Sequence, residues 1–241
     1  ITLVKSLRID SLLDKGTKLA ALGKREEAIE CWDKAIEMNP KDVMAWFDKG
    51  RALAQLGKFE EALVCHDKAI ELDPKYASAW SDKGITLANL EKPEESMKCI
   101  DKALELDPKN AEMWSNKGSV LIELDRNEES LTCIGKALEL DPKNAAMWTN
   151  KGNVLRNLGK HEEALECFEK ATELDPNLMR SWQLKGETLS GLKKHEEAIK
   201  CWDKVLGLDP KHVDALYNKG AMLVNSGKLE EGLKCFEKAL E

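Results

Sequence analysis

The sequence predicts an all-α solenoid of antiparallel helix pairs, and three observations lead to that fold class. A glycine recurs every 34 residues, and a proline recurs with the same period near the end of each unit. Between these markers, apolar residues are spaced by three and four positions, which is the spacing of one face of an α-helix. A fixed period without insertions is typical of chains whose units bury their apolar faces against their neighbours. The glycines are Gly16, Gly50, Gly84, Gly118, Gly152, Gly186 and Gly220, and the prolines are Pro40, Pro74, Pro108, Pro142, Pro176 and Pro210.

The period divides the chain into a lead-in segment, residues 1–8, and a single array, residues 9–241. No shift in composition and no Gly/Ser linker interrupts the array, so we expect one elongated domain. It has six full units and one partial unit, with bounds 9–42, 43–76, 77–110, 111–144, 145–178, 179–212 and 213–241.

The unit 43–76 shows why each repeat should form two helices. Its first half carries Trp46 and Leu53 at helical spacing until Gly57 interrupts the pattern. Its second half repeats the spacing and stops at Asp73-Pro74, because proline cannot continue a helix and restricts the residue before it. A Glu-Glu pair opens the second half of every unit, where carboxylates complement the positive end of the helix dipole. Each unit therefore predicts two antiparallel helices joined by a tight turn.

Three recurrent residue types in the first helix predict how the helices pack. The repeated glycine costs about 1 kcal/mol in a helix interior, and we expect it to allow close approach of a small residue on the second helix. A tryptophan four positions earlier lies on the same face and should wedge between helices. The lysine before each glycine is expected to form a solubilising ladder, with its stem over apolar surface and its ammonium in water. The tryptophans are Trp46, Trp80, Trp114, Trp148 and Trp182.

The pattern W-x-x-K-G, followed at helical spacing by alanine, a bulky apolar residue, alanine and D-P, resembles the tetratricopeptide repeat. The resemblance covers residues 9–241, with one uniform departure: lysine stands where the family usually has leucine before the glycine. It implies a right-handed superhelix whose concave wall is made mostly by first helices, and which binds peptides or proteins.

The residues that vary between units are the candidates for reading a ligand. The resemblance places the second, fifth, sixth, ninth, twelfth and thirteenth positions of each unit on the concave wall. Asparagines at these positions can donate hydrogen bonds to a peptide backbone and accept them from it. Phe47 with Met44 would anchor an apolar part of the ligand. Arg51 and Arg180 would pair with acidic side chains of the ligand. The alternative is that these are ordinary solvated side chains on exposed helices. The predicted peptide-binding set is Met44, Phe47, Arg51, Asn89, Asn116, Ser119, Asn150, Asn153, Asn157, Arg180, Gln183, Tyr217 and Asn218.

One function of the resembled family is disfavoured. The clamps that hold the C-terminal carboxylates of heat-shock chaperones use a lysine at the fifth position, and no unit of this chain has one there.

The chain offers no pattern for chemistry. Seven cysteines follow the same 34-residue step, but helix packing separates equivalent residues by about 8 to 10 Å, too far for disulfides. The C-x-x-C and H-x-x-H spacings of zinc ligands are absent, so we interpret the cysteines as thiols that pack between helices. No nucleophile, base and orienting group stand together. We predict no catalytic residue, no cofactor and no metal site.

The charge and composition of the chain limit the classes of partner it can bind. The 37 basic and 44 acidic residues give a net charge of −7, which disfavours nucleic acid, including RNA recognition by a basic groove. No apolar run approaches the roughly 18 residues of a membrane span, and no signal peptide is visible. We expect a cytoplasmic, noncatalytic scaffold for a protein or peptide. The alternative is the recognition arm of a larger enzyme or signalling protein, since the chain begins at Ile1 and stops within a second helix.

Apolar residues at the two ends predict self-association. Exposed ends of a solenoid invite end-to-end contacts. The residues concerned are Ile1, Leu3, Val4 and Leu7 at one end and Leu233, Phe236 and Leu240 at the other.

Overall fold

A computed structural model describes the backbone of residues 2–240 and the side chains of residues 5–240. The described residues form fourteen α-helices and no strand, which confirms the all-α prediction. They fall into two compact units, Ile1–Leu124 and Asp125–Glu241. The single continuous array stays a prediction.

The first unit contains seven helices, in which successive helices pack side by side as antiparallel pairs. Each second helix also packs against the first helix that follows it. Since α1 begins at Thr2, the lead-in segment from that residue onward is part of the first helix. The helices are α1 (Thr2–Ala21), α2 (Arg25–Met38), α3 (Val43–Gln55), α4 (Phe59–Leu72), α5 (Ala77–Asn89), α6 (Pro93–Leu106) and α7 (Ala111–Glu123).

The second unit repeats the same arrangement, with close packing within the pairs α9/α10, α11/α12 and α13/α14. Its helices are α8 (Asn127–Leu140), α9 (Ala145–Asn157), α10 (His161–Leu174), α11 (Met179–Gly191), α12 (His195–Leu208), α13 (Val213–Asn225) and α14 (Leu229–Ala239).

The turn between paired helices requires one residue in the left-handed backbone region. Gly57 adopts a φ of 75° there, which glycine tolerates without steric cost. The equivalent residues Glu91, Asp125 and Lys193 adopt positive φ values as well. The helix stop is also as predicted: α4 ends at Leu72, just before the Asp-Pro pair.

The glycine of the first helix makes room for a different residue than the sequence predicts. A Cβ on Gly152 would lie 2.6 Å from Cε1 of Phe168, and one on Gly50 would lie 2.7 Å from Cε1 of His66. These partners stand four positions after the small residue of the second helix, which is itself fully buried, as at Ala62. The expectation that a small residue alone faces the glycine was therefore incomplete: the missing Cβ mainly accommodates a large side chain.

Four of the first-helix tryptophans, Trp46, Trp80, Trp114 and Trp182, belong to a cluster held by three contacts, as Trp46 shows. The indole Nε1 donates to the carbonyl of Pro40 at 3.0 Å. Lys49 Nζ lies 5.8 Å from the centre of the Trp46 ring and 2.5 Å from Oδ1 of Asp33 on the preceding second helix. The lysine lies against apolar surface as predicted, but its ammonium pairs with Asp33 and the Lys49 side chain is only 21% exposed, so it is not the freely solvated group that was expected. We call this lysine, tryptophan and carboxylate arrangement the lysine clasp.

Within residues 5–240, the complete clasp occurs at Lys49, Lys83, Lys117 and Lys185. Two units have part of it: Lys219 pairs with Asp203 but has Leu216 in place of the tryptophan, and Lys151 has the tryptophan but not the carboxylate. In place of a carboxylate, Lys151 has Gly135 on the preceding second helix. Lys151 still lies 5.3 Å from the centre of the Trp148 ring, but it forms no ion pair within the described residues. The ion pairs are Lys49–Asp33, Lys83–Asp67, Lys117–Asp101, Lys185–Glu169 and Lys219–Asp203.

The cysteines pack as predicted. All seven thiols are free, and six are buried, whereas Cys235 is half-buried. Burial raises the pKa of Cys65, Cys167 and Cys201 to about 11, although a nearby lysine opposes the shift in each case. Such thiols stay protonated at neutral pH and are weak nucleophiles.

Candidate functional site

The first helices of the first unit form a groove, because α3 touches α1 and α5, and α5 touches α7. Three adjoining clefts, of about 260, 300 and 220 Å³, lie along this surface. Arg51 lines all three clefts and so stands at their junction. We refer to this surface, between Thr17 and Asn116, as the Arg51 groove.

The Arg51 groove is acidic despite its central arginine. Asp48, Asp82 and Glu112 line the largest of these three clefts with Arg51. Arg51 Nε lies 3.6 Å from Oδ2 of Asp82, and its guanidinium lies 5.5 Å from the centre of the Phe47 ring. The pKa of Asp82 is raised to about 6, mainly by burial; Arg51 opposes the shift, and the charges of Glu112 and Asp48 add to it. Burial likewise raises the pKa of Asp48. The acids thus repel one another across the cleft.

Phe47 does not serve as an exposed anchor. Its side chain is 5% exposed and packs in a core cluster with Ala69 and Ala79. Its ring meets Tyr76 edge to face, with the centroids 4.9 Å apart. Phe47 therefore belongs to the interhelical core instead of forming the predicted apolar anchor, because the fifth position of this unit points between layers. Met44, which is 48% exposed, supplies the accessible apolar surface beside it.

Two buried polar groups beneath the Arg51 groove have no partner. His66 is fully buried, and neither ring nitrogen makes a hydrogen bond. Its ring lines the cleft bounded by Arg51, Asp82 and Glu112, and burial lowers its pKa to about 4. Trp32, 2% exposed, lines the adjoining cleft with an unpartnered Nε1. The sequence did not predict that His66 lies under the groove.

The remaining predicted residues of the first unit make contacts of their own. Asn116 Nδ2 donates to Oγ of Ser81 at 3.1 Å, so its amide is already engaged. Asn89 is exposed, and its Nδ2 donates to the Ile85 carbonyl one helical turn earlier at 2.9 Å. Ser119 donates in the same way to the carbonyl of Ser115.

Two predicted residues of the second unit are likewise engaged. Asn153 Oδ1 accepts from Nη2 of Arg156 at 3.0 Å, and that arginine also pairs with Glu187 at 2.5 Å. Gln183 Nε2 lies 2.6 Å from Nε2 of His212.

The other predicted residues of the second unit are available. Asn150 and Asn218 are half-buried and make no side-chain hydrogen bond within the described residues. Asn157, Arg180 and Tyr217 are exposed. Their role in binding stays a prediction.

Exposed apolar residues stand near both ends of the chain. Leu7 is 61% exposed, Leu233 59% and Leu240 90%. Phe236 is half-buried and its ring centroid lies 5.5 Å from that of Tyr217. The side chains of Ile1, Leu3 and Val4 lie outside the described residues. Self-association through these surfaces stays a prediction.

Within residues 5–240, no three His, Cys, Asp or Glu side chains cluster in a way that would hold a metal ion. In the same part of the chain, the helices are too short or too polar to cross a membrane.

Family models match the whole repeat region. Residues 8–180 match the model described as the Cilia and flagella-associated protein 70 C-terminal domain, and residues 180–212 and 213–241 match the tetratricopeptide repeat model. With the helix pairs described above, these matches show that the chain belongs to the tetratricopeptide repeat family. A search of curated proteins found no match.

Several solved structures resemble the chain. YrrB, described as a tetratricopeptide repeat protein with an unusual peptide-binding site, is 30% identical, with a TM-score of 0.55 over 79% of this chain and 98% of YrrB. PilF of Pseudomonas aeruginosa is 24% identical, with a TM-score of 0.72 over 80% of this chain and 88% of PilF. A chain of the APC/C hetero-tetramer Cut9-Hcn1 is 15% identical, with a TM-score of 0.76 over 97% of this chain and 49% of its own length. The latter two likenesses show the fold alone.

Proposed function

We propose that this chain is a noncatalytic scaffold that binds an extended peptide or protein segment along the exposed faces of its first helices. The observation that carries the proposal is the Arg51 groove, a run of clefts in which polar, charged and apolar side chains converge. The description of YrrB as a peptide-binding member of the same family adds support. The high pKa values of the buried thiols favour a structural role for them over a catalytic one.

The test is binding to an immobilised array of short peptides of varied sequence. Three variants change the proposed surface, namely Met44→Ala, Arg51→Ala and Asn150→Ala, and Val64→Ala is the matched control. Val64 is 65% exposed on the second helix α4 and lies outside the three clefts.

We expect the wild-type chain to retain a subset of peptides. Asn150→Ala should cost about 0.5 to 1.5 kcal/mol of binding free energy, because the lost hydrogen bonds compete with water. The control should bind like the wild type. Failure to retain any peptide would refute the proposal, and loss of binding with Val64→Ala alone would move the site to the second helices.

We also propose that the protein acts in the cytoplasm. Seven free thiols fit a reducing compartment, where disulfides rarely persist. Fluorescence imaging of the tagged, full-length protein in its native cell tests this, and a signal confined to an oxidising compartment would contradict it.

A further inference from the structure

We propose that the Arg51 groove selects a basic peptide segment and seats a lysine or arginine side chain among Asp48, Asp82 and Glu112. This inference rests on the proposed peptide binding and adds the chemical class of the ligand. It identifies one subsite of the groove and the residues that recognise its occupant.

The charge balance of the subsite favours a cation. Three carboxylates line the cleft with one guanidinium, so the ionised groups leave a net charge of −2. Arg51 meets Asp82 through a single atom pair at 3.6 Å, and Arg51 is about half exposed. A positive ligand group would relieve the repulsion among the carboxylates, whereas a negative group would increase it.

The rest of the chain lacks this imbalance. The predicted groove positions of α1, α3, α5 and α7 carry six acids and one base, Arg51. The equivalent positions of α9, α11 and α13 carry two acids and two bases. Selection for positive charge is therefore a property of the first unit. The acids of the first unit are Asp10, Asp14, Asp48, Asp82, Glu112 and Glu123.

The walls of the cleft suit the long stem of a basic side chain. Met44, half exposed, and Tyr76, half buried, stand together, with the tyrosine hydroxyl 3.4 Å from the methionine sulfur. Both line the same cleft as the three carboxylates. The methylene groups of lysine or arginine would pack on this surface while the charged head reaches the acids.

His66 gives a second, independent indication of a ligand. Its ring is fully buried, has two unpartnered nitrogens and lines the cleft beside Asp82 and Glu112. Buried polar groups nearly always have partners, and a neutral imidazole has one donor and one acceptor. A peptide group next to the basic residue carries the complementary pair. The ring lines the cleft that adjoins the three carboxylates, but both nitrogens are covered, so a peptide there would supply the missing partners only once the packing around His66 opens.

The experiment compares four pools of short peptides that differ only in one fixed central residue, lysine, arginine, glutamine or glutamate, with the other positions randomised. Binding is measured by fluorescence polarisation for the wild type, for Asp82→Asn and for Glu112→Gln. The control is Glu60→Gln, which removes the same charge from an exposed position at the start of α4, outside the clefts. Far-ultraviolet circular dichroism confirms that each variant is folded.

We expect the lysine and arginine pools to bind about tenfold more tightly than the glutamine pool, and the glutamate pool to bind most weakly. Asp82→Asn and Glu112→Gln should each reduce that preference several-fold, whereas Glu60→Gln should leave it unchanged. The preference should also weaken as the pH falls through about 6, where Asp82 takes up a proton beside Arg51, Asp48 and Glu112. The Asp82→Asn variant should lose most of this pH dependence.

Two results would overturn the inference while peptide binding stands. One is equal affinity for the lysine and glutamine pools. The other is an equal loss of preference in Glu60→Gln and Asp82→Asn, which would show a general effect of net charge. Absence of binding to all four pools and to the whole array would instead refute the proposed function itself.

Discussion

Replacing Gly135 by aspartate should stabilise the protein by completing the one lysine clasp that lacks its acid. Gly135 lies within α8, and a Cβ built on it would meet nothing within 4 Å, so a side chain fits without strain. In the equivalent place of other units, Asp33 and Asp203 lie 2.5 and 2.6 Å from their lysines.

The expected gain has two parts. Aspartate is better than glycine in a helix interior by about 0.3 kcal/mol. The new pair with Lys151 should add about 0.5 kcal/mol, because the acids of existing clasps are half exposed and solvent screens them. The total is about 1 kcal/mol in the free energy of unfolding. Gly135→Ala should give a similar gain from helix propensity alone, so it is the matched control for the ion pair.

The assay is urea unfolding followed by circular dichroism, for the wild type, Gly135→Asp, Lys151→Met and the double variant. The double-mutant cycle isolates the interaction between the two side chains. A coupling energy of about 0.5 kcal/mol should appear at low salt and shrink at about 1 M salt, where charges are screened. A coupling energy of zero, or one that salt does not change, would refute the electrostatic role assigned to the clasp.

Three further outcomes are expected. Phe47→Ala should lower the free energy of unfolding by about 3 kcal/mol, since it leaves a cavity in the core; a fully stable variant would contradict the burial. Burial lowers the pKa of His66 from about 6.5 in the unfolded chain to about 4 in the folded protein, so stability should fall as the pH drops from about 6.5 to 4, by up to about 3 kcal/mol. Asp82, with its raised pKa, acts in the opposite direction, so the test is whether His66→Phe is less acid-sensitive than the wild type. Finally, iodoacetamide should alkylate Cys235 well before Cys65, as read by mass spectrometry, because only the former is partly accessible.

Features that repeat were predictable from the sequence. The period, the Asp-Pro stops and the buried cysteines each follow from local rules that hold in every unit, so errors at one position are corrected by the others. Trp46 was correctly placed between helices on spacing alone. The repeated spacing also predicted the fold class and the division of each unit into two helices.

Features that depend on contacts between distant residues were not predictable. The sequence predicts Lys49 as a surface residue. The spacing of residues along one helix does not show its contact with Trp46 or its pairing with Asp33, which lies sixteen positions earlier on another helix. Phe47 was misplaced because the fifth position of its unit turns toward the next layer. The environment of His66 depends on Arg51, Asp82 and Glu112, which come from three different helices.

The lysine clasp has a consequence for how such an array lengthens. Each 34-residue copy carries a lysine that faces the copy before it and, in most units, a carboxylate that faces the copy after it, as Lys83 and Asp101 show. A duplicated copy therefore brings both halves of the junction with it, and joins its new neighbours through contacts already encoded. Growth by tandem duplication therefore needs no compensating substitution where two copies meet. The variable positions of the first helices remain free to diverge.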